Sequence, residues 1–152
     1  MFKKVLAYFD HQAWKYELPE PEGSLAYLGI ETENEHEFSC LVHVMEEEGK
    51  IVFFSIFPIH APAKRRSSLA NVLLAINYSL FWGSFEMDFE DGEIRCKTSF
   101  VYADMELSFA TIELMIHTNI IVMDTYFHLI QAFIEKKMSL PEIKMKVKEL
   151  SN

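Results

Sequence analysis

The chain has 152 residues, 50% of them hydrophobic and 14% aromatic, with a net charge of -9 and a pI near 5.1. That length suits one domain spanning 1–152, with a core large enough to need no metal or disulfide staples. The composition excludes disorder for the bulk of the chain, and the acidic balance argues against broad nucleic-acid binding, which needs clustered Lys and Arg at phosphates.

Residues 1–15 place Phe2, Val5, Leu6, Phe9 and Ala13 at helical spacing, predicting a first amphipathic helix. The following stretch from Glu17 to Gly23 contains two prolines and a glycine and reads as a connector. Ser24–Glu31 reads as a strand and the acidic Glu31–Glu37 segment as a loop. Phe38–Glu47 and Lys50–Ile59 then form a hairpin around Glu48-Gly49. Both of its faces are apolar, with Leu41, Met45, Val52 and Phe54 on one and Cys40, Val44, Phe53 and Phe57 on the other, so both are expected to be covered.

A second helix places Leu69, Val72, Leu73, Ile76 and Leu80 on one face before Gly83 stops it. Asp91-Gly92 is a two-residue turn signal between Phe85–Glu90 and Glu93–Tyr102. In that register Phe89 faces Ile94, Met87 faces Cys96 and Phe85 faces Thr98, while Asp88 meets Arg95 and Glu86 meets Lys97. A long helix follows Asp104–Ser108 and runs to about Lys137. Glu113, His117, Asp124, His128, Gln131 and Glu135 form its narrow polar stripe, so most of its circumference must meet protein. With no run of about 18 uncharged apolar residues, it is no membrane span. Ser139 to Glu142 is a capping box opening a short terminal helix that turns Leu140, Ile143, Val147 and Leu150 inward. The expected fold is α+β: an antiparallel five-strand meander packed with helices, in the order α-βββ-α-ββ-α-α.

Chemistry is sparse. His117 and His128 lie about 16 Å apart along the helix, too far to share a metal. The acidic Asp88–Glu93 turn has its glycine one position early for an EF-hand loop. Lys64-Arg65-Arg66 opens a helix, unfavourably for the dipole, and reads as a solvated patch or else an anion site. Ser67 and Ser68 lack a glycine elbow or partnered base. Cys40 and Cys96 fit reduced, buried thiols in a cytoplasmic protein, and no secretory leader is evident. Asn77 and Asp124 are polar on otherwise apolar helices, and hydrogen bonds bracing helix to sheet would explain them. No catalytic, metal or cofactor residues are assigned.

Several blocks carry a family resemblance. They are Phe54-Ser55-Ile56-Phe57-Pro58, Ala61-Pro62 with Arg66, Ala75-Ile76-Asn77-Tyr78, Gly83 to Asp88, Asp91-Gly92-Glu93-Ile94-Arg95, Lys97-Thr98-Ser99, and Asn119 with Met123-Asp124-Thr125-Tyr126. Over roughly residues 36–134 they resemble the YbjN family, named for bacterial sensory transduction, in the branch common among cyanobacteria. Cys96 stands where that family commonly has tyrosine, and His128 near a frequent proline. The resemblance implies a fold like type III secretion chaperones and supplies no catalytic residues.

Three functions follow as alternatives: a non-enzymatic regulator or chaperone-like domain presenting apolar surface to a protein partner, a small-ligand sensor with a pocket between sheet and helices, and an enzyme. The last has no nucleophile, base and orienting group at productive spacing. The long helix has a wider apolar arc than its neighbours need, so Ile116, Ile120, Met123, Phe127 and Phe133 are expected on a partner or homodimer surface, unless the first helix folds back over them.

Overall fold

The computed structural model describes residues 1–21, 23–103 and 105–150. Glu22 of the connector and Asp104 before the long helix fall outside it, as do Ser151 and Asn152. In chain order the elements are α1 (Phe2–His11), β1 (Tyr16–Glu17), β2 (Leu25–Glu31), β3 (Glu37–Met45), β4 (Lys50–Ile56), α2 (Arg66–Ser79), β5 (Ser84–Met87), β6 (Ile94–Val101), α3 (Phe109–Ile134) and α4 (Leu140–Leu150). All the strands join one antiparallel sheet in the order β1-β2-β3-β4-β6-β5.

Two expectations about the sheet change. The connector hides a sixth strand, a two-residue pairing of Tyr16 and Glu17 with Leu28 and Tyr27, too short to leave an alternating signal. The sheet is also not a simple meander. The α2 crossover carries β5 to the edge, so β4 pairs with β6.

The β5–β6 hairpin keeps its predicted faces but shifts register by two residues: Met87 faces Ile94 and Phe85 faces Cys96. Gly92 takes φ +86°, whereas Asp91 stays out of the positive region, and a tight two-residue turn of the expected type needs both there. A longer loop forms instead. Asp88 Oδ1 accepts the Glu90 N–H at 2.7 Å and Asp91 Oδ1 the Glu93 N–H at 2.8 Å, leaving Phe89 exposed. Glu86 consequently pairs with both Arg95, at 2.9 Å, and Lys97, and Asp88 does not meet Arg95.

One face of the sheet is packed and the other is open. Ala26, Leu28, Phe38, Cys40, Val42, Val44, Ile51, Phe53, Phe57, Phe85, Ile94 and Cys96 point toward the helices and are buried. On the reverse face Leu41, Met45, Val52 and Phe54 are only half-buried, so the expectation of two covered faces fails. Arg95 partly shields Phe54, its guanidinium lying over the ring at 4.4 Å from the centroid.

The 26-residue α3 is the central helix of the packed layer, touching β4, β6, α1, α2 and α4. Ser108 caps it by accepting the Thr111 N–H at 3.1 Å. The α1 helix does fold back on it: Tyr8 meets Phe109 edge-on at 5.6 Å. Thus Ile116, Ile120, Met123, Phe127 and Phe133 are all buried within a single chain, correcting the expectation that they line a partner surface. The neighbours of α3 cover more of its arc than the element list suggests. What α3 leaves exposed is Ala110, Leu114 and Ile121 beside His117, Thr125 and His128.

Candidate interaction surface

The polar residues inside the packed layer act as braces. Asn77 is held to β5 twice, donating to Phe85 O at 2.9 Å and accepting the Phe85 N–H at 2.7 Å. Asp124 ties α3 to the β2–β3 loop, accepting from Thr32 Oγ1 at 2.8 Å, Asn34 Nδ2 at 2.5 Å and His36 Nδ1 at 2.7 Å. Burial alone would raise its carboxyl pKa, but those three hydrogen bonds and the nearby His36 outweigh it and hold the group below the ordinary carboxylate value. Asn77 thus joins helix to strand, whereas Asp124 joins α3 to a loop and not to the sheet.

The most buried brace was not singled out by pattern. Asn119, fully buried, accepts from Ser55 Oγ at 2.6 Å and donates toward Cys96 O at 3.0 Å and Phe53 O at 3.3 Å. It lies opposite the polar stripe of α3, and that contrast is the signal that could have found it.

Two of the three cations of Lys64-Arg65-Arg66 turn to backbone carbonyls, so the run is more than a solvated patch. Arg65 donates to Phe133 O at 2.6 Å near the C-terminus of α3 and lies 4.3 Å over the Phe133 ring, where a cation suits the helix dipole. Arg66 donates to Ala61 O, Phe89 O and Glu90 O at 2.8–3.1 Å, pinning the β5–β6 loop. Arg66 uses both Nε and Nη1 on backbone carbonyls, whereas Arg65 makes one such bond and keeps its Nε buried without a hydrogen-bond partner among the described residues; Lys64 alone of the three stands exposed.

The strongest surface feature is the C-terminal end of α2. Leu69, Val72, Leu73 and Ile76 face the core, which turns Leu74 and Tyr78 outward. Leu80 then leaves the helix in extended conformation, and Gly83, at φ +76°, redirects the chain into β5. Between them Phe81 and Trp82 project. Exposure reaches 67% for Leu74, 94% for Tyr78, 98% for Phe81 and 74% for Trp82. Because Asn77 clamps Phe85, both ends of this short link are fixed, and the aromatic pair is carried on a braced turn. Beside it, a groove of about 700 Å³ between α2 and α4 is lined by Asn71, Leu74, Ala75, Tyr78, Lys144 and Val147.

This surface offers apolar contact and no acid–base or nucleophilic chemistry. Its residues were legible in the sequence as large apolar side chains off the inner face of α2, Leu74 and Tyr78 at i and i+4 with Phe81 and Trp82 beyond. Attention to the inner face alone passes over them.

Known structures share this architecture. The crystal structure of YbjN from E. coli is similar with a TM-score of 0.64 at 11% identity, covering 90% of this chain and 93% of that one. A chain of the HopA1–SchA chaperone–effector complex matches with a TM-score of 0.55 at 12% identity, covering 84% and 93%. One from the ExsC–ExsE complex gives 0.51 at 11%, covering 84% and 91%. The fold is therefore that of type III secretion chaperones. No curated protein matches the chain by sequence. The model of the YbjN family, described as "Putative bacterial sensory transduction regulator", matches residues 3–132, extending the resemblance seen over 36–134 to include α1, β1 and β2. On that match, over most of its length, the chain belongs to the YbjN family.

Proposed function

We propose that this chain is a non-enzymatic protein-interaction domain of regulatory or chaperone-like character, and that it acts through the aromatic end of α2. The carrying observation is the exposure of Leu74, Tyr78, Phe81 and Trp82 together on a braced turn. Isolated exposed apolar residues are ordinary, but four large ones, three of them aromatic, exposed between residues 74 and 82 suit a partner surface. Two of the structural neighbours come from complexes, one of them a chaperone–effector complex, which supports a polypeptide partner. A ligand pocket between sheet and helices has less support, since Phe53, Ile51, Ile112, Ile116 and Met123, all buried, occupy that layer.

Self-association belongs to the same reading. A homodimer buries such a patch most simply, by pairing it with its own copy about a two-fold axis. The interface is then α2 with the Phe81-Trp82 turn, in place of α3. A cytoplasmic setting fits two buried, unbridged cysteines. Burial raises both thiols, Cys96 to about 12 despite a hydrogen bond from Ser84, which makes them inert. None of the described helices is long and apolar enough to cross a membrane.

Size exclusion with light scattering tests the dimer. The expected mass is twice 17.8 kDa at micromolar concentration, falling to the single-chain value on replacing Phe81 and Trp82 by aspartate while the circular dichroism spectrum is preserved. A single-chain mass for the parent at every concentration would end the dimer. An unchanged pull-down profile for the double variant would remove the aromatic end as the partner surface.

A further inference from the structure

A second surface, on a different part of the molecule, has the opposite chemistry. An open groove of about 1040 Å³ runs between the start of α1, the connector before β2, and the β3–β4 turn. Leu6, Leu25, Tyr27 and Met45 give it an apolar floor, and Glu20, Glu46, Glu47 and Glu48 an acidic rim, against Lys3 as the single Lys or Arg of the lining. Part of this acidity is already used. Glu46 accepts from the Met1 amino group and the Phe2 N–H, both at 2.7 Å, and Glu48 accepts from Lys50 at 2.6 Å. The carboxylates of Glu20 and Glu47 have no ion-pair partner among the described residues.

We propose that this groove binds an extended segment of a partner polypeptide in which lysine or arginine alternates with apolar residues. An extended chain sends successive side chains to opposite sides, so one set can enter the apolar floor while the other meets Glu20 and Glu47. Charge complementarity selects the cations, and the floor selects the apolar set. A groove this open would leave a small metabolite largely in water, whereas bound ligands of that size are normally enclosed. A second copy of this chain fits poorly as occupant. Its own alternating cations, Lys144, Lys146 and Lys148, sit within the α4 helix, where residues two apart do not share a side as they do in a strand. The proposal stands on the groove and does not depend on the aromatic end of α2.

Fluorescence anisotropy of the full chain at about 0.15 M salt, where unspecific surface attraction is screened beyond about 8 Å, tests it with a labelled nonapeptide alternating lysine and leucine. Saturable binding is expected, weakened at least tenfold by Glu20→Lys with Glu47→Lys and less than twofold by Glu33→Lys with Glu90→Lys, which change the net charge equally. Alternating lysine–serine and glutamate–leucine peptides should both bind at least tenfold more weakly. Equal losses from the two charge-matched pairs, or comparable binding of either control peptide, would overturn the groove as a specific site, as would absence of saturable binding. If aspartate at Phe81 and Trp82 abolishes binding while the groove pair does not, the peptide belongs to α2 and the groove proposal fails.

Discussion

Helices α2 and α3 lie on the same face of the sheet and present opposite cases. By composition α3 is far the more apolar, yet Ile116, Ile120, Met123, Phe127 and Phe133 are all buried within the chain, Phe127 beneath His36, Phe38 and Phe57. The shorter α2 buries one stripe and ends in Leu74, Tyr78, Phe81 and Trp82, mostly in solvent. How apolar an element is says how much cover it needs, not whether the fold provides it. Cover is a property of neighbours, and the end of α2 has too few.

The most severe way to test this contrast is to put one charge in each place. Met123→Asp inserts a carboxylate at a fully buried position of α3, with a cost above about 4 kcal/mol, most of the stability of a domain at the low end of the usual range of about 5–15 kcal/mol. Phe81→Asp should lower the stability read from urea denaturation by no more than about 0.5 kcal/mol in a chain dilute enough to be monomeric, as for an open surface. A stable, folded Met123→Asp chain would break the comparison outright.

Polar specification on the covered side ranks next. Asn119→Ala strands Ser55 Oγ and removes the donor to Cys96 O and Phe53 O, costing about 3 kcal/mol, measurable by urea denaturation. A loss under about 1 kcal/mol would mean that water replaces the side chain. The opposite end of α2 supplies a third test. Gly92 packs where an added Cβ would lie 2.3 Å from Ala61 O, beside the carbonyls that Arg66 holds. Gly92→Val should cost at least about 2 kcal/mol from backbone strain and that overlap, and an unchanged midpoint would show that the loop can leave the α2 start without penalty.

These residues also show which parts of the molecule can be read from sequence. Periodicities placed all four α-helices, the β3–β4 hairpin and the inner face of α2, because each is a local pattern enforced by one buried face. The β5–β6 register needed the Arg66 contacts, which join residues far apart in the chain. Pairing of β4 with β6, the two-residue β1 and the cover over α3 depend likewise on which elements become neighbours. Asn77 and Asp124 stood out as polar residues in apolar helices. Asn119 did not, and its role appears only when Ser55 and Cys96 are set beside it. The aromatic end of α2 was visible as residues and not as a site, since exposure is fixed by what the rest of the chain leaves bare.

The smallest expected effect concerns the margin of α3, where cover gives way to solvent. Asp124 sits there with its side chain 17% exposed and receives Thr32, Asn34 and His36 from one loop, while the His36 ring stacks on Phe127 at 3.8 Å. The loop therefore covers Phe127 through Asp124. Its hydrogen bonds hold the folded carboxyl below its ordinary value despite the opposing effect of burial. A carboxyl with a lowered folded pKa stabilises fully above the unfolded value, about 3.9, and that contribution is lost as pH falls through the folded pKa. Asp124→Asn should thus cost about 1–2 kcal/mol at pH 7, and the gap from the parent should narrow progressively below about pH 4. Urea titrations at pH 7, 4 and 3 decide the matter: a gap of the same size at all three would show that the carboxylate charge does not hold the loop, and would assign the closure over Phe127 to the ring stacking of His36 alone.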